Sequence, residues 1–200
     1  MKVPAKFYIN NDVVTLSRMV LGMHLFTQIN GEVTGGKIVE TEAYCGGIDR
    51  GSHAYNNRHT PRTHILFENG GFSYVYLCYG IHYLFNLVTG DQDHPHAILI
   101  RGLEPVTGLP IMLERRNFPI LKPSLTAGPG ALASAMGIGK EHNALPLTGD
   151  TIWLEDSDHN KIKEDEILTR SRVGMNFDGP WHSAPLRFSI RNNPFVSKAL

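Results

Sequence analysis

Two hundred residues, 42% hydrophobic and 19% charged, suffice for one substantial core and are too apolar for a disordered chain. Two cysteines exclude a disulfide framework and a four-cysteine zinc site, and a formal charge of zero weighs against a polyanion as partner. The opening Met1-Lys2-Val3-Pro4-Ala5-Lys6 lacks a signal-like apolar run, and no stretch approaches the roughly 20 apolar residues of a spanning helix. The expectation is one soluble, intracellular, monomeric domain over residues 1–200 with reduced thiols.

Charge distribution qualifies the total. Residues 150–166 hold seven acids (Asp150, Glu155, Asp156, Asp158, Glu164, Asp165, Glu166) and two bases, which leaves 17 basic against 12 acidic residues elsewhere. An acidic lobe facing away from a polyanion and a moderately basic remainder can coexist.

In chain order, Asp12 reads as the cap of a short helix with apolar residues at 13, 16 and 20 that ends near Gly22. Gly35-Gly36 and Gly46-Gly47 are expected to delimit a strand over 37–44. Alternation there puts Glu40, Glu42 and Tyr44 on one face and Val39, Thr41 and Ala43 on the other. Two carboxylates and a phenol on one face suit a site that positions a planar substrate and activates water, and spacing alone gives Glu40 and Glu42 equal claims. The plain alternative is a solvated edge strand.

Residues 49–64 form a long polar connection in which Arg58, His59, Thr60 and Arg62 can hold phosphate oxygens, against the alternative of a solvated loop. Residues 70–87 read as a β-hairpin whose two-residue turn Tyr79-Gly80 pairs Tyr76 with Tyr83 and Tyr74 with Phe85. A ring at the tip cannot enter the hairpin's own core, so Tyr79 suits insertion into a base stack or folding back onto a helix. Residues 96–102 read as a buried strand with Ala97, Leu99 and Arg101 on one face, and the guanidinium requires a partner such as Glu42. His94 and His96 have no third ligand at a suitable spacing, so no metal is expected. A helix is expected over 106–118, and a second after Gly128-Pro129-Gly130 with an open N-terminus and a stop at Gly137. Residues 151–154, 172–175 and 185–190 read as strands.

The ordered set Val39-Glu40-Thr41-Glu42-Ala43-Tyr44, His53, Thr60-Pro61-Arg62, Tyr74-Val75-Tyr76, Tyr79-Gly80, Asn86, Arg101-Gly102-Leu103-Glu104-Pro105, Gly128-Pro129-Gly130, Arg172-Val173-Gly174 and Pro185-Leu186-Arg187-Phe188 resembles the alkyladenine (3-methyladenine) DNA glycosylase family over nearly the whole chain. The resemblance implies a monofunctional enzyme, without metal or organic cofactor, that excises 3-methyladenine, 7-methylguanine, hypoxanthine and ethenoadenine from double-stranded DNA. It implies that Glu42 activates the water, with Arg101 and the main-chain carbonyl of Val173 holding it. Tyr44, His53, Tyr76, Asn86 and Leu99 would bind the flipped base, the bulk of Asn86 disfavouring the 2-amino group of guanine. Tyr79 would fill the gap in the duplex, while Arg58, Thr60, Arg62 and Gly130 would meet the DNA backbone. No lysine stands in these motifs, in keeping with water as nucleophile. Ala131 stands where the family usually has a basic residue, and Leu66 where it commonly has Met.

The expected architecture is α+β: a curved, largely antiparallel sheet with flanking helices and a protruding hairpin. A non-catalytic damage-binding module and a histidine-based metallohydrolase are the rival functions.

Overall fold

The computed structural model describes residues 1–156 and 161–198. Its β-branched and aromatic runs form β1 (His24–Ile29), β2 (Glu32–Tyr44), β3 (Ser73–Cys78), β4 (His82–Thr89), β5 (His96–Thr107), β6 (Ile152–Glu155), β7 (Ile167–Arg170) and β8 (Arg187–Ile190). They join into one curled sheet of order β3-β4-β5-β2-β1-β6, with β8 on β2 and β7 on β8, every pairing antiparallel.

The sheet is built around β2. Along one edge it pairs with β5 from Gly35 to Tyr44. A strand has only two edges, so the other is shared: β1 takes Glu32–Lys37 and β8 takes Glu40–Glu42. Register shifts between Ile38 and Glu40 and between Glu40 and Thr41 bend β2 where its partner changes. Glu40 and Glu42 therefore lie at the bend of a central strand, flanked on both sides, and are fully buried. This rules out the solvated edge strand.

Gly35-Gly36 does not break the chain as expected but lies within β2. A Cβ on Gly36 would stand 1.8 Å from Leu103 Cδ2, and one on Gly35 2.3 Å from Phe26 Cδ1. The missing side chains let those neighbours cross the strand closely.

Short helices cover the sheet: α1 (Ala5–Tyr8), α2 (Val13–Met19), α3 (Leu109–Arg116), α4 (Pro129–Ala135) and α5 (Pro180–Ser183). Asp12 caps α2 as expected, accepting the Thr15 amide at 3.0 Å. Val13, Leu16 and Val20 pack into a core with Ile38, Ile98, Ile100, Leu103, Met112, Leu132 and Phe188. Each such side chain contributes about 1.5–3 kcal/mol by leaving water. The helix expected over 106–118 is shorter, because Val106 and Thr107 prolong β5 and Gly108 turns the chain at φ 71°. Residues 172–175 are irregular and not a strand: Arg172 is drawn inward to Asp49, and Gly174 has φ 77°. β1 and β7 were not expected. Of the acidic run, Asp158 lies outside the described residues, Asp150 meets Lys2 at 2.5 Å and Glu164 meets Arg18.

The hairpin forms with a register one residue from that expected. Tyr76 faces Leu84, Tyr74 faces Asn86 and Cys78 faces His82, because three residues, Tyr79, Gly80 and Ile81, make the connection. Tyr79 and Gly80 hold φ 50° and 71°, and the Ile81 amide donates to the Cys78 carbonyl at 3.1 Å. Two positive φ values are the primed-turn geometry that follows strand twist. Tyr79 remains at the apex, 87% exposed.

Candidate active site

The strand bend delivers Glu42 to a fixed place. Its Oε1 accepts the Val173 amide at 2.9 Å and faces Arg101 Nη1 at 3.4 Å, while its Oε2 accepts the Tyr44 hydroxyl at 2.9 Å. Burial raises the Glu42 pKa, against the pull of Arg101, the Val173 amide and the Tyr44 hydroxyl; Glu40 adds to the rise. The result is a carboxylate held in a dry setting with donors that favour its ionised form. Burial also pushes the Tyr44 hydroxyl well up, reinforced by Glu42, so it stays a donor.

Above this carboxylate lies a cavity of about 520 Å³, a size suited to a small planar ligand. Tyr44, His53, Tyr74, Tyr76, Asn86, Leu99, Arg101 and Val173 are among its lining residues. Glu42 is not; it reaches the cavity through the Tyr44, Arg101 and Val173 it is bonded to. Cross-strand pairing of Asn86 with Leu99 places both on the wall, and the Asn86 amide donates to the Tyr74 carbonyl at 3.0 Å. His53 is exposed as a residue, yet its ring meets Tyr76 edge-on at 4.6 Å and its Nδ1 lies 2.8 Å from the Tyr74 hydroxyl. Desolvation, with Arg62 and Arg58 nearby, lowers its pKa to about 4. The imidazole is therefore neutral at pH 7.

Tyr79 also borders this cavity, at the tip of the hairpin. Its φ is one that bulky side chains disfavour, and it has no core role in return. Gly130 seats the hairpin: a Cβ there would lie 2.8 Å from the His82 Cβ. The expected phosphate contacts divide. Arg58, Thr60 and Arg62 line a neighbouring hollow of about 330 Å³ with Arg50 and Ser52. Arg62 also stacks its guanidinium 5.0 Å above Tyr76 and borders the main cavity, while Thr60 is tied to Thr63 through amide and hydroxyl.

Two buried ion networks escaped the sequence reading. Arg172 grips Asp49 with both Nη atoms, at 2.6 and 2.8 Å, donates to the Ala43 carbonyl, and lies 4.6 Å over the Tyr44 ring. Glu40 accepts from Arg101 Nε at 3.3 Å, Arg187 Nη1 at 3.4 Å, and the hydroxyl and amide of Ser197 at 2.9 and 2.7 Å. A buried charge requires compensation, which was a signal for Arg101; Asp49 and Arg172, 123 positions apart, carried no pairing signal.

The family model for methylpurine-DNA glycosylase matches residues 6–194, almost the entire chain. The chain belongs to the methylpurine-DNA glycosylase family. Relatives agree along their whole length. A protein of Chlamydia felis, provisionally named a 3-methyladenine DNA glycosylase, is 42% identical over 94% of this chain and 95% of its own. One of the same name from Natranaerobius thermophilus is 40% identical over 98% and 99%, and one from Clostridium acetobutylicum is 38% identical over 98% of each. As a methylpurine-DNA glycosylase the chain is a hydrolase of N-glycosyl bonds in DNA repair. Among the described residues no group of three or more His, Cys, Asp or Glu side chains is arranged to hold a metal ion, and no helix is long and apolar enough to cross a membrane.

Proposed function

We propose that the protein turns a damaged purine out of double-stranded DNA into the Tyr44–His53–Tyr76 cavity and cleaves its glycosidic bond with water activated by Glu42. The observation that carries this reading is a buried carboxylate bonded to Tyr44, Arg101 and Val173 in the wall of an aromatic cavity that an exposed tyrosine at a hairpin tip borders.

A base within the duplex cannot present its glycosidic bond, so it must be extruded at a cost of a few kcal/mol, least for damaged or mispaired bases. Contact with Tyr44, His53 and Tyr76 returns roughly 1–3 kcal/mol per stacked base. Tyr79 takes the vacated place in the stack. Cleavage builds oxocarbenium character on the sugar, which ionised Glu42 stabilises while it takes a proton from water. Arg101 and the backbone at Val173 position that water. Alkylated purines carry positive charge and leave readily, whereas neutral hypoxanthine needs a donor to its ring. The bulk of Asn86 acts against the 2-amino group of guanine, and Arg58, Thr60, Arg62 and the Gly130 region face the DNA backbone. The protein acts as a monomer, where its DNA is, and needs no cofactor.

The test is a panel of duplexes bearing one 3-methyladenine, 7-methylguanine, hypoxanthine or ethenoadenine, scored for abasic sites by alkaline cleavage. Release of at least one of these and not of normal purines is expected. Tight lesion binding with no release of any would establish the damage-binding module instead.

A further inference from the structure

Glu40, Arg187 and the C-terminal segment form a closed buried network behind the cavity. Glu40 has four donors on its two oxygens, and two of them come from Ser197, 157 positions later in the chain. Ser197 also accepts from Arg101 Nη2 at 3.2 Å. Arg101 is thus held at three points: Nε on Glu40, Nη2 on Ser197 and Nη1 toward Glu42. The segment is itself fastened: the Asn193 amide donates to Glu104 Oε2 at 2.8 Å, and Phe195 is buried, with its carbonyl over the bare face of Gly102. Neither Glu40, Arg187 nor any described residue after 190 lines the cavity. The network therefore bears on the reacting site through Arg101 and through the charge of Glu40 on Glu42.

We infer that the C-terminal segment is a positioning strap, in which Ser197 and Glu40 together fix the Arg101 guanidinium against Glu42 and so set the strength of the base. Two carboxylates share one guanidinium, and the division decides how much positive charge Glu42 feels. With Glu40 anchored by Arg187 and Ser197, Arg101 is drawn partly away from Glu42, which keeps Glu42 a better proton acceptor than a fully paired carboxylate. The groups around Glu42 are Glu40 and Tyr44 on its own strand, Arg101 on β5, the Val173 amide, Arg172, Arg187 on β8 through Glu40, and Tyr76 across the cavity. In this set Arg172 is paired with Asp49, while Glu40 and Arg101 act on Glu42 in opposite directions, as the upward effect of Glu40 on its pKa reflects.

The inference rests on the reading of Glu42 as the base, so Glu42→Gln runs alongside. The assay is single-turnover excision of hypoxanthine from a duplex across pH, with lesion affinity measured separately. Ser197→Ala is expected to lower the excision rate constant about tenfold with lesion affinity unchanged, and Ser197→Thr, which keeps the hydroxyl, to restore most of it. Glu40→Gln, where it folds, is expected to move the acid limb of the profile to lower pH and lower the plateau, because Arg101 then pairs with Glu42 alone. A Ser197→Ala enzyme with wild-type rate and profile overturns the strap, as does a loss shared equally between rate and affinity that Thr does not rescue. If Glu42→Gln keeps wild-type turnover, the base assignment fails and the strap falls with it; if Glu42→Gln is inactive and Ser197→Ala is unaffected, only the strap fails.

Discussion

Replacing Glu42 by Gln changes one atom's chemistry and almost no volume. The amide oxygen can still accept the Val173 amide that now lies at 2.9 Å, and the amide nitrogen can donate to the Tyr44 hydroxyl that now donates to Oε2. The cavity walls should stand unchanged. On the proposed reading what is lost is the base: positioned general bases contribute about 10²–10⁴-fold, equivalent to about 2.7–5.4 kcal/mol of barrier at 1.36 kcal/mol per decade. We expect single-turnover excision of hypoxanthine to fall by at least about 100-fold while lesion-duplex affinity stays within about threefold of wild type. Stability supplies an independent check with a definite sign. Burial raises the Glu42 pKa, so the unfolded chain gives up this proton at a lower pH than the folded one. The contribution to stability is full below the unfolded pKa and is lost as pH rises through the folded value. The melting-temperature difference between Glu42→Gln and wild type should therefore shift in favour of the variant as pH rises toward neutrality. Wild-type turnover in the variant would refute the assignment, and a variant that loses lesion binding in proportion to activity would move Glu42 from chemistry to the cavity wall.

Other outcomes follow from the same geometry. Tyr79→Ser should weaken lesion-duplex binding and leave the melting temperature within a degree or two, because the ring is 87% exposed; a large drop in melting temperature would make it a core residue. Asp49→Ala strands a fully buried guanidinium and should cost about 3–5 kcal/mol, read by chemical denaturation; less than about 1 kcal/mol would show that Arg172 finds another partner. His53, whose pKa is lowered to about 4, favours the folded state when neutral. Its contribution is present above the ordinary histidine pKa and is lost as pH falls toward 4, so His53→Gln should flatten the stability profile in that window. Excision should decline as pH falls through the raised Glu42 pKa, and an acid limb in the ordinary carboxylate range or below would contradict the desolvated base.

Part of the candidate site was legible from periodicity because it lies on strands, where a period of two fixes which side chains share a face, whereas His53, Tyr76, Asn86 and Val173 came from the family resemblance. Glu40, Glu42 and Tyr44 followed from that rule, and the need of Arg101 for a carboxylate followed from the apolar run before it. Periodicity could not say that Glu40 and Glu42 are both buried, since that depends on β8 and β5 closing on β2 from either side. Glycine pairs misled where they serve close packing instead of turning, as at Gly35-Gly36. The hairpin was legible but its register was not, because Ile81 joins the connection and shifts every pair by one. Asp49–Arg172 and Ser197–Glu40 join points more than 100 residues apart, and only the fold brings them together.

In the proposed reaction water, activated by Glu42, breaks the bond between a damaged purine and its sugar. Among the described residues no lysine lines the cavity, in keeping with water as the nucleophile. The most direct measurement uses excess protein on a duplex bearing a single hypoxanthine, with free base quantified and the strand examined before and after alkali, with and without borohydride. One purine released per abasic site, with the strand intact until alkali is added and no protein–DNA adduct trapped, is the predicted result. A borohydride-trapped adduct, strand cleavage without alkali, or a bound duplex that releases no base would contradict it.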